Sequence, residues 1–209
     1  MTEDDSGAWR PDHVSGIVLA GGASRRFGSD KLEAVLEGRS LLGRAVDAVA
    51  SVSSEVIVVV APGDERSLPD HGDVPIRRAV DPEPHGGPLV GLLTGLETAQ
   101  QPIVVVAGGD MPTLSVDVLV AMVRVLLATE GSTDAAILVR HGVDRPLPAA
   151  IRNGAATQAA RRLLGEDERS LRALFALLRT RRIEEIEWRG LDPAGDTLRD
   201  VDSPSDLPR

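Results

Sequence analysis

Ile103-Val-Val-Val-Ala-Gly-Gly-Asp-Met-Pro112 is the stretch that decides the fold class. Its first five residues are apolar on both faces, as a central parallel strand covered by helices on each side must be. The glycine pair and the carboxylate that follow end the strand and bring a polar group close to bare backbone. Glu55-Val-Ile-Val-Val-Val-Ala61 has the same two-faced apolar character. Working outward, further strands are predicted at Gly16–Ala20, Ile76–Val80, Ala135–Val139, Leu147–Ile151 and Ile183–Trp188. The intervening spacing predicts helices at about Ser40–Ser51, Leu89–Thr98, Ser115–Ala128, Ala155–Leu164 and Ser170–Thr180. Short β-branched runs alternating with helical stretches predict an α/β fold with a mostly parallel central sheet and helices on both faces. No internal repeat or long linker divides the 209 residues, so one domain is expected over 14–209, after a disordered N-terminal arm at 1–13. The segment after Arg189 reads as a loop, a short strand and a final turn.

A second stretch, Leu19-Ala-Gly-Gly-Ala-Ser-Arg-Arg-Phe-Gly-Ser-Asp-Lys31, leaves the end of the Gly16–Ala20 strand. Bare backbone N–H groups beside Arg25, Arg26 and Lys31 suit a nucleoside polyphosphate. Taken alone, the loop reads equally well as an ordinary strand-to-helix turn with solvated charges. It has neither the dinucleotide spacing G-x-G-x-x-G nor the Gly-Lys-Ser/Thr of a P-loop.

Composition removes several function classes. There are 32 acidic and 23 basic residues, a formal net charge of −9, which argues against a nonspecific nucleic-acid surface or an anionic membrane as partner. Aromatic residues are 2% of the chain, too few for a base-stacking groove. Cysteine is absent, so disulfides, thiolate zinc and cysteine nucleophiles are excluded and a reducing cytoplasm is suited. The four histidines follow no metal-ligand spacing, whereas a hard cation held by carboxylates remains open. No apolar run approaches the length of a membrane span. No serine lies in a Gly-x-Ser-x-Gly elbow, so a serine hydrolase is not supported.

Three carboxylate positions converge on one edge of the expected sheet. Asp110 lies just past a central strand, where open α/β sheets bind ligands. An Asp in that place is more often a cap or turn former, but its coincidence with the basic loop favours a ligand role. Asp81 follows Ile76–Val80 and precedes Pro-Glu-Pro-His-Gly-Gly-Pro88; it either hydrogen-bonds a nucleoside or ends a strand. Asp200 and Asp202 stand two apart, on one face of an extended segment, where one of them can share Mg²⁺ with Asp110 or merely help cap a last turn. Gly87, Gly91 and Gly95 fall four apart on one face of the Leu89–Thr98 helix and permit close backbone approach. Arg145, Asn153 and Arg169 are candidate anion contacts in the C-terminal half. Arg161-Arg162 and Arg179–Arg182 read as solvated faces.

These motifs, in this order, resemble a known family. Leu19-Ala-Gly-Gly-x-Ser-x-Arg-Phe-Gly-x-Asp-Lys31 is similar to the signature loop of nucleotidyltransferases that activate sugars and cofactors. Gly87-Pro-Leu-x-Gly-Leu-x-x-Gly-Leu96, Gly109-Asp-Met-Pro-x-Leu114 and Asp200-Val-Asp-Ser-Pro-x-Asp-Leu207 extend the likeness to the molybdenum cofactor guanylyltransferases, covering about Ser15 to Leu207. Arg145-Pro-Leu-Pro148 and Glu168-Arg-Ser-Leu171 fit that family's pattern more loosely. The resemblance implies a single Rossmann-like nucleotidyltransferase domain that transfers GMP from GTP to the terminal phosphate of molybdenum-molybdopterin, with Mg²⁺. Under it, Leu19, Ala20, Gly21 and Gly22 line the nucleoside and Lys31 and Arg26 contact the triphosphate. Asp81 and Gly87 help hold the nucleoside, while Asp110, with Asp202, binds the metal. Molybdoenzyme chaperones or cofactor-insertion proteins are the implied protein partners.

Two departures bear on this reading. Some family members carry Asn-x-Asn where Asp200 and Asp202 stand, and Phe27 replaces a more familiar methionine. Leu19-Ala-Gly-Gly22 and Gly87-Pro-Leu-Val-Gly91 favour guanylyl over cytidylyl transfer, since the related cytidylyltransferases typically have Leu-Ala-Ala-Gly and Gly-Met-Ser there. The alternatives are a transferase using CTP or another NTP on a pterin, sugar-phosphate or phospholactate acceptor, and a noncatalytic nucleotide-binding adaptor.

Overall fold

The structure, a computed structural model, describes residues 12–21, 31–83, 86–129 and 131–201. Its elements are β1 (Val14–Leu19), β2 (Val35–Leu36), β3 (Arg39–Ser40), α1 (Leu41–Ala50), β4 (Glu55–Val60), β5 (Ile76–Val80), α2 (Pro88–Thr98), β6 (Ile103–Gly108) and α3 (Val116–Ala128). These are followed by β7 (Ala135–Arg140), β8 (Val143–Arg152), α4 (Asn153–Gly165), α5 (Leu171–Leu177), β9 (Thr180–Ile183) and α6 (Glu185–Trp188). Most of the expected N-terminal arm lies outside the described residues; Asp12 and His13 form a turn into β1. Among the described residues no helix is long and apolar enough to cross a membrane.

The main sheet has the order β5-β4-β1-β6-β8-β7-β9. The first four strands run parallel, β8 is antiparallel to both β6 and β7, and β9 is parallel to β7. β4 and β6 are buried at every position, as their two-faced apolar sequences require. One core packs α1, α3 and α6 on one face of the sheet, and a second packs α2, α4 and α5 on the other. From β1 the chain first builds outward through β4 and β5 and then returns to place β6 on β1's other side. β1 is therefore the switch point, and the crevice beyond its carboxyl end is the natural ligand position.

Local signals set most helix starts. The Ser40 hydroxyl accepts the Gly43 N–H at 3.0 Å, Ser115 the Val118 N–H at 3.4 Å, and Ser170 the Arg172 N–H at 3.1 Å. Pro88 opens α2 behind Gly87, whose φ of 92° only glycine adopts without strain. Gly87 thus precedes the helix instead of sharing its glycine face. Gly91 and Gly95 do form that face: a Cβ on Gly95 would lie 2.9 Å from Ile17, and one on Gly91 3.8 Å from Leu19.

Two segments differ from expectation. Ile183–Trp188 is not a strand: β9 ends at Ile183, and Glu184 and Glu187 form a reciprocal capping box that starts α6. Helical turning leaves Ile186 88% exposed while Trp188 enters the core. After Arg189 the described residues form a 3-10 turn at Asp196–Leu198 with no strand. The arginines read as solvated faces are ion-paired: Arg161 with Glu97, Arg162 with Glu166, Arg179 with Asp134, Arg181 with Glu187 and Arg182 with Asp144.

At the amino-terminal edge of the sheet Glu55 is 4% exposed and accepts the Ser15 hydroxyl at 2.6 Å, the Gln100 N–H at 2.8 Å and the Arg77 guanidinium. Burial alone pushes its pKa up; the hydrogen bonds and the cation outweigh burial and hold it below the ordinary carboxylate range. Hydrogen bonds from Arg179 likewise lower Asp134. A depressed folded pKa contributes stability that is present above the unfolded value, about 4, and is lost as pH falls through the folded value. The urea midpoint should therefore stay flat from neutrality to about pH 5 and drop below about pH 4. Glu55→Gln should flatten part of that drop; an unchanged acid slope would place the effect elsewhere.

Candidate active site

Four strand ends build the site. Beyond β1, the Ala20 N–H donates to Val59 O at 2.7 Å and the Gly109 N–H donates to Leu19 O at 2.9 Å; beyond β4, the Asp81 N–H donates to Val60 O at 2.8 Å. These backbone bonds lock Gly21, Asp81 and Asp110 around one cleft of about 330 Å³. Leu19 and Val59 give it an apolar side, Gly87 and Gly91 a bare-backbone wall, and Asp81 and Asp110 its carboxylates. Gly108 leaves the carboxylate its place, because a Cβ there would lie 2.5 Å from Asp110 Oδ1 and displace it.

Lys31 reaches back from the 3-10 turn at Lys31–Glu33 to place Nζ 2.8 Å from Asp110 Oδ2, with side-chain exposures of 12% and 32%. The sequence separates these charges by 79 positions (110 − 31), and the fold brings them into contact. Asp110 is held in turn by Val201, whose N–H donates to the Asp110 carbonyl at 3.1 Å. That bond brings the C-terminal segment back to the strand end. Asp200 lines the neighbouring pocket, whereas Asp202 lies outside the described residues, as do Gly22, Arg25, Arg26 and Phe27. The Ala20 N–H and the Leu19 carbonyl are already engaged within the protein, and of this stretch it is Leu19 and Gly21 that line the cleft.

A second pocket, about 740 Å³, adjoins the first and shares Pro88, Asp110 and Leu147 with it. Leu147 stands at the junction because the β7–β8 register breaks between Ile137 and Leu138, which pair with Ala149 and Arg145. Pro146-Leu147-Pro148 is the bulge left over, which accommodates two residues that cannot donate to a ladder and turns the leucine toward the site. Arg145, Arg169 and Arg172 line the second pocket, so two of the three C-terminal anion candidates are where an acidic acceptor would need them. Asn153 is not. Its N–H donates to Pro102 O and its amide to Ala99 O and Gln101 O, at the opposite edge of the sheet.

The donor set suits a metal carried in with substrate. No group of three His, Cys, Asp or Glu able to hold a metal occurs among the described residues. Asp110 offers one hard oxygen donor between two pockets, and Mg²⁺ characteristically takes one or two carboxylates and completes its shell with waters and substrate phosphates. Val59, Gly86, Leu147 and Arg172 were not foreseen as site residues. Apolar and bare-backbone lining carries no signal of its own, and Arg172 reads as one more helical surface cation.

Removing the Lys31 ammonium should weaken nucleotide binding about 10- to 100-fold, the worth of one charge-assisted hydrogen bond of about 1.5–3 kcal/mol. KM for the nucleotide and the thermal midpoint of Lys31→Ala check this. An unfolded variant would make the lysine structural.

Known proteins resemble this chain in sequence and in fold. The model of the MobA-like NTP transferase domain matches residues 16–184. The chain is 32% identical over 197 residues to a probable molybdenum cofactor guanylyltransferase of Chloroflexus aggregans, covering 93% of this chain and 91% of that relative. It is 29% identical to a molybdenum cofactor guanylyltransferase of Desulfosudis oleivorans, over 87% and 86% of the two chains. Among solved structures it superposes on molybdopterin-guanine dinucleotide biosynthesis protein A of Archaeoglobus fulgidus with a TM-score of 0.72 at 22% identity, over 92% and 94% of the chains. A 4-diphosphocytidyl-2C-methyl-D-erythritol synthase of Anaerococcus prevotii follows at 0.68 and 14%, over 94% and 95%, a likeness of fold alone. Matched over most of its length and built around a two-pocket site at the carboxyl edge of a Rossmann-like sheet, this chain belongs to the MobA-like NTP transferase family.

Proposed function

We propose that the protein transfers GMP from GTP to the terminal phosphate of molybdenum-molybdopterin, releasing pyrophosphate, through one domain spanning 14–209. The observation that carries the reading is Asp110, common to both pockets and paired at 2.8 Å with Lys31. In this reading the glycine-walled cleft takes the nucleoside, with Asp81 and Gly87 on its wall, and the arginine-lined pocket takes the acceptor.

An oxygen of the acceptor's phosphate attacks the α-phosphorus in line; a P–O–P bond forms as the bond to the β-phosphate oxygen breaks. The nucleophile is already anionic near neutral pH, so no strong general base is required. The protein's task is placement and charge neutralisation. Lys31 moves from Asp110 onto the triphosphate and offsets charge on the leaving pyrophosphate. Arg26 has the same task by resemblance, and Leu147 keeps the two substrates apart except at Asp110. Mg²⁺, when held by Asp110 with Asp202, supplies Lewis-acid neutralisation of the phosphate oxygens. Cofactor-insertion proteins or molybdoenzyme chaperones would receive the product in the cytoplasm.

The four NTPs titrated with Mg²⁺ in a thermal-shift assay test the nucleotide. GTP should raise the midpoint most, with a gain that grows as RT ln(1 + [L]/Kd). Preferential stabilisation by CTP would overturn the guanylyl assignment. Pyrophosphate release only when the pterin acceptor is present tests the reaction; nucleotide binding with no turnover would instead indicate an adaptor.

A further inference from the structure

Asp81, Gly86 and Gly87 stand on one wall of the nucleoside cleft. Asp81 Oδ1 accepts the Glu83 N–H at 2.9 Å, and the Gly86 N–H donates to Glu83 O at 3.0 Å. Further ties among the described residues come from a distant residue. Arg169 Nη1 donates to Glu83 Oε2 at 2.5 Å and to Gly86 O at 3.0 Å. Gly87 lies against the same residue: a Cβ there would be 3.2 Å from Arg169 Cβ and 3.5 Å from its carbonyl oxygen.

Arg169 has a firm base for this reach. It lies between α4 and α5, where the Glu168 N–H donates to Leu163 O at 2.9 Å and the Ser170 N–H donates to Glu168 Oε1 at 2.8 Å. It also lines the second pocket. Glu83 and Arg169 side chains are 54% and 41% exposed, so their ion pair by itself contributes little. The charge-assisted bond to the Gly86 carbonyl and the packing against Gly87 are what tie these two glycines down.

Resting on the reading of the two pockets as nucleotide and acceptor sites, we propose that Arg169 is a positioning residue for the nucleotide: its guanidinium holds Glu83 and the Gly86 carbonyl, and its backbone packs on Gly87, so that the glycine wall is set to receive the nucleoside. The side chains of Arg145 and Arg172, by contrast, make no hydrogen bond or ion pair among the described residues, which leaves these cations to meet an acidic acceptor, Arg145 beside the shared Leu147. The arginines of the second pocket therefore divide the work. Arg169 acts on the nucleotide from the acceptor side, and Arg145 acts on the acceptor.

Nucleotide affinity, measured by calorimetric titration with Mg²⁺ and without acceptor, tests this on Arg169→Ala, Glu83→Ala, the double variant, Arg169→Lys and Arg145→Ala. Each of the first two should weaken binding, Arg169→Ala by about five- to tenfold and Glu83→Ala by less. The double variant should bind no worse than Arg169→Ala, because the pair acts as one unit. Arg169→Lys should recover part of the loss, and Arg145→Ala should bind the nucleotide as tightly as the parent while raising KM for the acceptor. Unchanged nucleotide affinity in Arg169→Ala, with a raised acceptor KM, would overturn the proposal and make Arg169 an acceptor contact. All four NTPs are titrated, so the guanine assignment can fail in favour of another base while the Arg169 comparison proceeds with the nucleotide that binds. If none binds the parent protein, both readings fall.

Discussion

Asp110→Ala should lower turnover by about 10²-fold or more, measured as pyrophosphate release at saturating nucleotide and Mg²⁺, because one preorganised electrostatic group at the reacting phosphates is worth that much. Among the described residues it is the carboxylate that lines both pockets, and the protein invests in its position from several directions. Gly108 leaves the space it occupies, Val201 holds its backbone, and Lys31 neutralises it at 2.8 Å. Asp110→Asn retains the shape and discards the charge, so an equal loss in both variants identifies charge as what matters. Both should still fold, with a thermal midpoint below that of the parent, since either change takes the carboxylate from the largely buried Lys31 ammonium. Turnover near the parent's in Asp110→Asn would remove Asp110 from the metal-binding role.

The largest effect on stability is expected from Trp188→Ala, about 3–5 kcal/mol, read from urea unfolding. Trp188 is 1% exposed, the largest of the fully buried side chains, and closes the core under β7. Its Nε1 donates to Val139 O at 2.9 Å, and the Arg189 guanidinium lies 5.3 Å from its ring centroid. Trp188→Phe keeps most of the apolar volume and deletes the donor, so it should cost less, about 1–3 kcal/mol. A loss below about 1 kcal/mol in Trp188→Ala would mean that α6 does not complete the core. Activity per folded molecule should survive, because Trp188 lines neither pocket.

The same tryptophan shows how sequence reasoning succeeds and fails. Ile183-Glu-Glu-Ile-Glu-Trp188 has apolar residues three and two apart and reads as a strand. What decides the matter is a capping box between Glu184 and Glu187, backed by the docking of one indole, and neither shows as hydrophobic periodicity. Similarly, Gly87 satisfies a four-residue spacing with Gly91 and Gly95, yet its positive φ makes it the entry to α2.

The carboxylates at strand ends were legible because an aspartate that follows a strand of a parallel sheet stands at its carboxyl edge: Asp81, directly after Ile76–Val80, and Asp110, after a β-branched run and two glycines, both line the cleft there. The acceptor side was less legible. Arg145 and Asn153 are eight residues apart and looked alike as polar candidates, but an extended strand separates such positions by about 25 Å. β8 runs between them, so one stands at the site and the other at the opposite edge.

What the sequence determined by itself was local and periodic: the two-faced strands β4 and β6, the serine caps of α1, α3 and α5, the glycine positions where backbone must come close, and the order of the motifs. These depend on residues within a few positions of one another, so a linear reading suffices. Only the tertiary structure decided that β8 enters antiparallel between β6 and β7, that its bulge sets Leu147 between two pockets, and that Lys31 meets Asp110. It also decided that Arg169 reaches Glu83 across 86 positions. Such meetings follow from strand order and from how helices on each face fill the core. Those are properties of the whole packed chain and leave no trace in the spacing of the residues concerned.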